Sequence, residues 1–242
     1  MNKYEKINAE SLYFSKASNI HPANTYFHFS FANYRDPRNE NFGVLRVLND
    51  DEVKPNSGFN THPHHNMEIF SYVVNGKLTH RDSTGNHEVL SRGHVQYISA
   101  GTGVSHSELN EQDDWCRFLQ IWILPEKRDL PVQYLLHKYS YEERKNKFLQ
   151  IVCGSKSKNR APINIHQDVN VYVSELTNKS ETLSFELDND RQAYIYCFEG
   201  NLNLGQYPSL GERDSLKISG QVKVEFTLSS DSAHFIIIEM QQ

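Results

Sequence analysis

Short apolar segments separated by turn residues run through the sequence, and this pattern constrains the fold more than any other feature. Within residues 67–99 the turn pairs Asn75-Gly76, Gly85-Asn86 and Arg92-Gly93 each separate two segments rich in β-forming residues. Asn-Gly is a strong signal for a two-residue hairpin, because both turn positions tolerate positive φ. Turn signals at roughly 8–12-residue intervals predict an all-β sandwich or barrel. The one helix candidate is 139-YSYEERKNKF-148, in the connection between the two halves.

An internal repeat suggests two copies of one β-domain. The segments 70-FSYVVNGKLTH-80 and 194-YIYCFEGNLNL-204 share the pattern aromatic-x-Tyr-x-x-x-Gly-x-Leu at an offset of 124 residues. Two unrelated hairpins of similar chemistry would give the same pattern, so the repeat alone leaves both interpretations open. Prolines and charges interrupt the strand pattern in 121-IWILPEKRDLPVQY-134. We therefore expect an N-terminal metal-binding domain over residues 1–130 and a C-terminal domain over residues 131–242.

The composition excludes several functional classes. The net charge of −5 is spread along the chain without a basic stripe, which argues against direct nucleic-acid binding. No apolar run approaches the roughly 18 residues of a membrane-spanning helix, and the first 18 residues lack the apolar segment of a signal peptide. The three widely spaced cysteines are typical of reduced thiols. We expect a cytoplasmic protein that does not bind membranes.

The segment 61-THPHHNME-68 carries three histidines and a glutamate, which indicates a metal site. In a strand, side chains alternate between faces with a rise of about 3.3 Å per residue. His62 and His64 would therefore share one face, with Cα atoms about 6–7 Å apart, close enough to bind one ion. His65 has the opposite parity and should point away. Pro63 lacks an N–H group, which favours a sheet edge or a strand terminus.

A second pair lies downstream in 101-GTGVSHSELN-110. His106 and Glu108 are again two residues apart, and they follow two glycines that permit a tight turn. Two facing strands that each supply one such pair would form a site of three imidazoles and one carboxylate. This donor set suits iron, manganese, nickel, copper or zinc, and in an octahedral ion it leaves two positions for substrate or dioxygen.

Spacing alone leaves the carboxylate ligand open. Glu68 has the same parity as His64, although an extended strand places it about 13 Å away, so it reaches the ion only if the strand curves or bulges. Histidines in polar turns are also common on surfaces that bind no metal. Two His-containing pairs that bracket one region nevertheless favour a metal site over that simpler explanation.

The segments around these residues resemble the pirin family of bicupins, especially the bacterial pirin-like proteins related to quercetin 2,3-dioxygenase. The resemblance covers most of residues 26–170 and is looser in the C-terminal third. It implies two tandem cupin β-barrels of the jelly-roll type, with one metal in the N-terminal barrel. The matching segments are 29-FSFANYRDP-37, 43-GVLRVLNDD-51, 58-GFNTHPHHNMEIFSYVVNG-76, 79-THRDSTGN-86, 101-GTGVSHSE-108 and 166-HQD-168.

The resemblance also implies a ligand set and a metal. Carried over residue by residue, the ligands are His62, His64, His106 and Glu108, in agreement with the strand parity. Glu68 becomes a hydrogen-bond partner of a ligand imidazole. One divalent transition metal is implied, with Fe(II) favoured and Mn, Ni, Cu, Co or Zn as alternatives. The chain departs from the family at His65, where Arg or Lys is common, so the charge at the entrance varies near neutral pH.

The activity that the resemblance implies is cleavage of a flavonol such as quercetin by dioxygen, with ring opening and loss of carbon monoxide. Glu108 would bind the metal and also accept the proton of the 3-hydroxyl group as the catalytic base. We expect the flat aromatic substrate to lie against Phe59, Phe70, Tyr97 and Ile98. The alternative that the resemblance supplies is a non-enzymatic, metal-binding regulatory partner of another protein. A metabolite-modifying cupin such as an isomerase is a third, weaker interpretation.

The C-terminal half lacks a matching ligand set. At the offset of the repeat, His62 and His64 correspond to Glu186 and Asp188. His234 lies in the apolar segment 234-HFIIIEM-240 and is predicted to be structural. We therefore expect a C-terminal cupin-like domain without metal.

Overall fold

The computed structural model describes residues 3–242, and almost all of its regular secondary structure is β-strand. Along the chain the first strands are β1 (Lys3–Ile7), β2 (Tyr13–Ser15), β3 (Ala23–Phe27), β4 (Leu45–Val53), β5 (Ser57–His64), β6 (Glu68–Asn75), β7 (Lys77–Asp82), β8 (His87–Ser91), β9 (His94–Ser99), β10 (Val104–Asn110), β11 (Cys116–Ile123) and β12 (Gln133–Lys138). They are followed by β13 (Leu149–Cys153), β14 (Ile163–Asn164), β15 (Val169–Leu176), β16 (Thr182–Leu187), β17 (Arg191–Leu204), β18 (Tyr207–Leu210), β19 (Ser215–Ser219) and β20 (Val222–Gln241).

Helix is limited to a 3-10 turn at Ala9–Ser11 and the short helix α1 at Tyr141–Arg144. The helix predicted over residues 139–148 is thus a single turn, which begins where the Glu143 carboxylate accepts a hydrogen bond from the Ser140 backbone N–H at 2.7 Å. Over residues 3–242, no helix has the length and apolar character needed to cross a bilayer. The all-β class expected from the turn pattern is confirmed.

The first compact unit, Tyr13–Tyr139, is built from two sheets. A seven-stranded sheet has the order β12-β9-β6-β11-β4-β3-β2, and a four-stranded sheet has the order β5-β10-β7-β8. Val53, Val73 and Phe118 of the larger sheet pack with Leu78 and Leu90 of the smaller one, and all five are fully buried. Burial of each such side chain contributes roughly 1.5–3 kcal/mol, so this apolar layer holds the two sheets face to face.

The turn pairs in this unit have different roles from one another. The chain reverses at Gly85-Asn86, and β7 pairs with β8 there, as expected for a hairpin. The hairpin predicted at Asn75-Gly76 is wrong, because β6 pairs with β9 and β11 while β7 pairs with β8 and β10. This turn carries the chain from one sheet to the other, since both faces of the core must be covered. Arg92-Gly93 likewise connects β8 in one sheet to β9 in the other.

The second compact unit comprises Ser140–Gln242 together with the N-terminal residues up to Leu12. Its sheet has the order β1-β19-β17-β20-β15-β13-β14, with β16 paired to β20 and β18 paired to β17. The bounds therefore differ from the expected 1–130 and 131–242. The segment that holds β1 pairs with β19, and β12 pairs with β9 of the first unit. Hydrogen bonds between strands far apart in the chain therefore decide to which unit β1 and β12 belong, and local residue patterns do not indicate such pairing.

The internal repeat corresponds to a shared backbone feature. Gly76 and Gly200 occupy equivalent positions, and both have left-handed φ values, 77° and 74°. A Cβ atom at Gly76 would lie 2.8 Å from the Trp115 carbonyl oxygen, and one at Gly200 would lie 1.9 Å from that of Ser232. Each unit therefore needs glycine where the strand passes close to a neighbouring backbone.

We expect Gly76→Ala to lower the free energy of unfolding by about 2 kcal/mol or more, because it combines a left-handed φ with a backbone clash. Gly85→Ala is the matched control: its φ is also positive, at 96°, but no atom lies within 4 Å of the added Cβ. It should lose only about 1 kcal/mol from the backbone conformation. Urea unfolding of both variants measures the difference, and equal losses would contradict the close approach at Gly76.

Candidate metal centre

Three histidines converge where β5 and β10 pair. The two strands are antiparallel, with His106 opposite His62 and Val104 opposite His64. The ligating nitrogens of the three rings all lie within 4.8 Å of one another. We call His62, His64 and His106 the histidine cluster. The three histidines predicted as ligands therefore meet, although His106 is more than forty residues from the other two along the chain.

The electrostatics of the cluster favour neutral rings. Burial, followed by the neighbouring His62 and His65, lowers the pKa of His64 to about 4. Burial, followed by His62 and His64, also lowers the pKa of His106 far below its usual value. Neutral imidazole is the form that binds metal, because a protonated ring has no lone pair to donate.

A hydrogen bond to the backbone sets which nitrogen of the His62 ring carries the proton. The Nδ1 atom of His62 lies 2.7 Å from the Asn60 carbonyl oxygen, which can only accept, so Nδ1 carries the proton. The Nε2 atom of His62 then presents its lone pair to the cluster. A ligand histidine commonly donates its other N–H to a backbone carbonyl in this way.

The spacing of the nitrogens fits a metal ion. The Nε2 atoms of His64 and His106 face each other at 3.0 Å. Two nitrogens at about 2.1 Å from an ion and at right angles about it are separated by about 3 Å. Two neutral imidazole nitrogens at this distance either share a proton or face a common cation. The third ring beside them favours the cation.

Behind the cluster, His80 packs against His106 with ring centroids 5.5 Å apart. Its Nε2 atom donates to Asp82 Oδ2 at 3.1 Å. Burial acts to raise the pKa of Asp82, but hydrogen bonds from Thr84, Asn86 and His80 outweigh it and hold that pKa well below the usual range. This ionised carboxylate orients His80 against a cluster ring, a contact that the strand-parity analysis did not identify.

Glu108 is buried beside the cluster and held from the opposite sheet. The Ser71 hydroxyl donates to Oε1, and the Gln120 side-chain amide donates to Oε2. Burial raises the pKa of this carboxyl group to about 7, although both hydrogen bonds favour ionisation. Within residues 3–242, the group whose ligand atoms lie within 4.8 Å of one another contains the three histidines but not Glu108.

Glu68 lies on the other face of its sheet. It alternates with Ser71 along β6, so it faces away from the side on which Ser71 contacts Glu108. The Tyr97 hydroxyl donates to the Glu68 carboxylate there. The parity count from His64 fails because residues 65–67 form a turn in which Asn66 has φ 49°. Glu68 therefore faces away from the histidine cluster, and the Tyr97 hydroxyl is a hydrogen-bond partner of its carboxylate.

A bulge in β5 brings an aromatic side chain to the same face as the cluster. His106 is opposite His62, but Glu108 is opposite Phe59, so β5 carries one extra residue between these two positions. Phe59 and His62 consequently share a cavity although their parities differ. His65 follows the last residue of β5, is exposed and is not part of the histidine cluster.

The cavity has a volume of about 300 Å³ and opens beside the cluster. Its aromatic lining is Phe27, Phe31, Phe59 and Trp122, and its polar lining includes Thr25, Asn49, Asp51, His62, Glu108 and Gln120. Of the four lining residues expected from the sequence, Phe59 is in place. The other three are buried elsewhere: Phe70 stacks on Tyr97, and Ile98 packs with Ile69 and Val104. Even-numbered β6 side chains face away from the cavity, as Glu68 does.

Two polar residues of the cavity wall, Asn49 and Asp51, were not predicted from the sequence. Asn49 and Asp51 lie on β4 with the same parity as Val53, a core residue. Two polar residues at positions that alternate with the core residue Val53 are the signal that could have identified them, because buried polar groups are rarely retained without a role.

The second unit has no comparable cluster among its described residues. Glu186 and Asp188, the counterparts of His62 and His64, line a charged cavity in which Arg191 pairs with Asp168 and Glu239. His234 is buried 3.2 Å from a Glu199 carboxylate oxygen, in keeping with a structural role.

The fold and the cluster together define a tandem cupin protein with a candidate metal centre in its N-terminal barrel. A family model described as Pirin matches residues 12–123, and one described as Quercetinase C-terminal cupin domain matches residues 151–240. The chain belongs to the pirin family. The expected family and bicupin fold are thereby confirmed.

Relatives of this chain carry two kinds of name. A protein of Escherichia coli K12 named quercetin 2,3-dioxygenase is 35% identical over 84% of this chain and 86% of its own length. A pirin-like protein of Caulobacter vibrioides is 35% identical over 88% of this chain and 90% of its own. The crystal structure of the bacterial pirin YhhW from E. coli in complex with nickel(II) matches with a TM-score of 0.87, 28% identity and 99% coverage of both chains.

We expect Asp51→Asn to stabilise the metal-free protein increasingly as pH rises. Burial raises the pKa of Asp51 to about 8, against about 3.9 in an unfolded chain. The folded state therefore binds more protons between these values, and stability falls as pH rises toward the folded pKa. Asparagine removes this titration and can still accept the hydrogen bond from Thr25. Urea unfolding at about pH 5 and about pH 8 measures the effect.

The exposed Asp114 supplies the control, because Asp114→Asn should leave the pH dependence of unfolding unchanged. A gap between Asp51→Asn and the unsubstituted protein that stays constant from about pH 5 to about pH 8 would contradict the raised pKa.

Proposed function

We propose that this protein is a metal-dependent dioxygenase that cleaves a flavonol such as quercetin. The observation that carries the proposal is a cluster of three histidines beside an aromatic-lined cavity, whose wall includes His62 of the cluster and the buried Glu108 carboxyl group. The relatives named quercetin 2,3-dioxygenase support the same reaction. Such a dioxygenase is an oxidoreductase.

The proposed metal ligands are His62, His64, His106 and Glu108. The three rings already face one point, and the histidine set suits several first-row divalent ions, Fe(II) among them. A nickel(II) complex of a structural relative supports a divalent ion in this fold. When bound, such an ion supplies Lewis acidity toward a phenolic oxygen and a site for dioxygen.

Glu108 is the proposed base for the 3-hydroxyl proton of the flavonol. Its pKa of about 7 lets the ionised and protonated forms interconvert near neutral pH. The Ser71 and Gln120 donors hold both carboxylate oxygens, so the group keeps its orientation while the proton moves.

The remaining cavity wall binds and shields the substrate. Phe31, Phe59 and Trp122 provide flat apolar surfaces for a polyphenol. Trp122 also contacts His64, with ring centroids 4.8 Å apart, so the apolar wall begins at the cluster itself. An aromatic ring in this cavity would lie next to the proposed metal and displace water from it.

The function is tested by aerobic incubation with quercetin. Protein loaded separately with iron, manganese, nickel, copper, cobalt or zinc should consume quercetin with at least one metal, seen as loss of flavonol absorbance and release of carbon monoxide. Glu108→Gln should lower kcat by at least about 100-fold, as expected for loss of a general base.

Absence of turnover with every metal would overturn the dioxygenase proposal and favour the non-enzymatic regulatory alternative. Turnover without carbon monoxide would point to a different reaction at the same site.

The ligand set is tested by metal content. We expect Glu108→Ala to lower the metal bound per chain more than Glu68→Ala does, because Glu68 faces the other side of its sheet. His106→Ala should lower it at least as strongly. Elemental analysis after equilibration with a fixed concentration of one divalent metal provides the measurement.

His65→Ala is the matched control, since this histidine is adjacent to the cluster in sequence but is exposed and does not belong to it. Its metal content should match that of the unsubstituted protein. A larger loss in Glu68→Ala than in Glu108→Ala would reverse the assignment of the carboxylate ligand.

A further inference from the structure

Asn49 and Asp51 form part of the polar lining of the cavity wall. They lie two residues apart on β4, both face the cavity, and only 4% and 3% of their surfaces are exposed. Phe27 pairs with Asn49 across the sheet, and Thr25 pairs with Asp51. Neither residue belongs to the histidine cluster, and the proposed reaction assigns no role to either.

The amide of Asn49 has unused hydrogen-bonding capacity. Its Oδ1 atom is fully buried and has no hydrogen-bond partner within residues 3–242. A buried polar atom is usually satisfied, and an exception at the wall of a cavity indicates a ligand group or water that satisfies it. Asn49 is thus prepared to bind a polar group that enters the cavity.

Asp51 supplies the complementary group. The Thr25 hydroxyl donates to its Oδ1 atom, which fixes the carboxyl plane against β3. Burial, together with the nearby Asp50 and Glu108 charges, raises the pKa of Asp51 to about 8. Asp51 and the Oδ1 atom of Asn49 therefore place two hydrogen-bonding groups on the same wall of the cavity.

We propose that Asn49 and Asp51 form a binding subsite for a phenolic hydroxyl group, through which the cavity selects polyhydroxylated aromatic molecules over less hydroxylated ones. A phenolic hydroxyl group can donate to Asn49 Oδ1 or to the Asp51 carboxyl group, and it can accept from the Asn49 side-chain amide N–H. This inference deepens the proposed function, since it rests on an aromatic substrate in the same cavity. It assigns the recognition of ring hydroxyls to residues that take no part in binding the metal.

Because Asn49 and Asp51 are buried, the subsite should distinguish ligands that carry a ring hydroxyl group from ligands that lack it. A site built to hydrogen-bond a hydroxyl group rejects an analogue that lacks it, because the buried polar groups are then left unpaired. The aromatic walls alone would bind hydroxylated and plain rings with little difference. The preference should therefore depend on the two β4 side chains.

The test compares two flavonols that share the 3-hydroxyl group: quercetin, which has four further hydroxyls, and 3-hydroxyflavone, which has none. Calorimetric titration without oxygen gives both dissociation constants for the nickel(II)-loaded protein, and the readout is their ratio. The unsubstituted protein should prefer quercetin. Asn49→Leu and Asp51→Leu should each reduce this preference by about tenfold, the effect of losing one hydrogen bond to a buried group.

Gln96→Met is the matched control. Gln96 is also a fully buried amide on the same sheet, and neither its Oε1 nor its Nε2 atom has a partner within residues 3–242. It does not line the cavity. Removal of this amide should leave the preference for quercetin unchanged.

The outcomes separate the subsite from the dioxygenase reaction. A reduced preference in either β4 variant, with Gln96→Met unchanged, supports the subsite whether or not quercetin is consumed in air. An unchanged ratio in both β4 variants overturns it, even if affinity for both flavonols falls together and turnover persists. Two variants are used so that a folding defect in one leaves the other informative.

Discussion

The antiparallel pairing of β5 with β10 holds His62 opposite His106, and the site depends on this register. If β10 slipped by one residue, every side chain on it would face the opposite side of the sheet. His106 and Glu108 would then leave the interior together. The bulge in β5 adjusts the register locally and brings Phe59 to the cavity without disturbing the two histidines. The histidine cluster and the position of Phe59 in the cavity wall are therefore set by one strand pair.

A row of polar side chains crosses the larger sheet beneath this pair. Backbone register places Gln96, Ser71, Gln120 and Asn49 opposite one another on four adjacent strands. Ser71 and Gln120 bind Glu108, and Asn49 opens onto the cavity. Apolar residues at these positions would pack without leaving buried groups unsatisfied. The polar row therefore lowers the stability of the sheet relative to an apolar one, and two of its members orient the buried Glu108 carboxyl group.

The two units show what a shared fold leaves undetermined. Both have a left-handed glycine at the equivalent position, as the repeat implied. In the first unit His62 and His64 lie on β5, whereas their counterparts in the second unit, Glu186 and Asp188, line a cavity with the half-buried Arg191. The fold therefore sets the place of a site, and individual side chains decide its chemistry.

Much of the first unit could be predicted from sequence because it rests on local rules. Turn residues and alternating apolar positions indicated the all-β class, and two-residue spacing placed His62 with His64 and His106 with Glu108. The same parity failed for Glu68, since the turn at residues 65–67 resets the alternation. Phe70 and Tyr97, expected to line the substrate cavity, instead stack on each other outside it. Parity is reliable only within one uninterrupted strand.

By itself, the sequence determined which side chains share a strand face and hence which pairs could act together. Only the tertiary structure decided which strands pair, that Asn75-Gly76 joins two sheets rather than closing a hairpin, and that β1 belongs with the C-terminal unit. It also placed Asn49, Asp51 and Gln120 around Glu108. Those relations depend on hydrogen bonds and packing between segments far apart in the chain, for which local residue preferences carry no information.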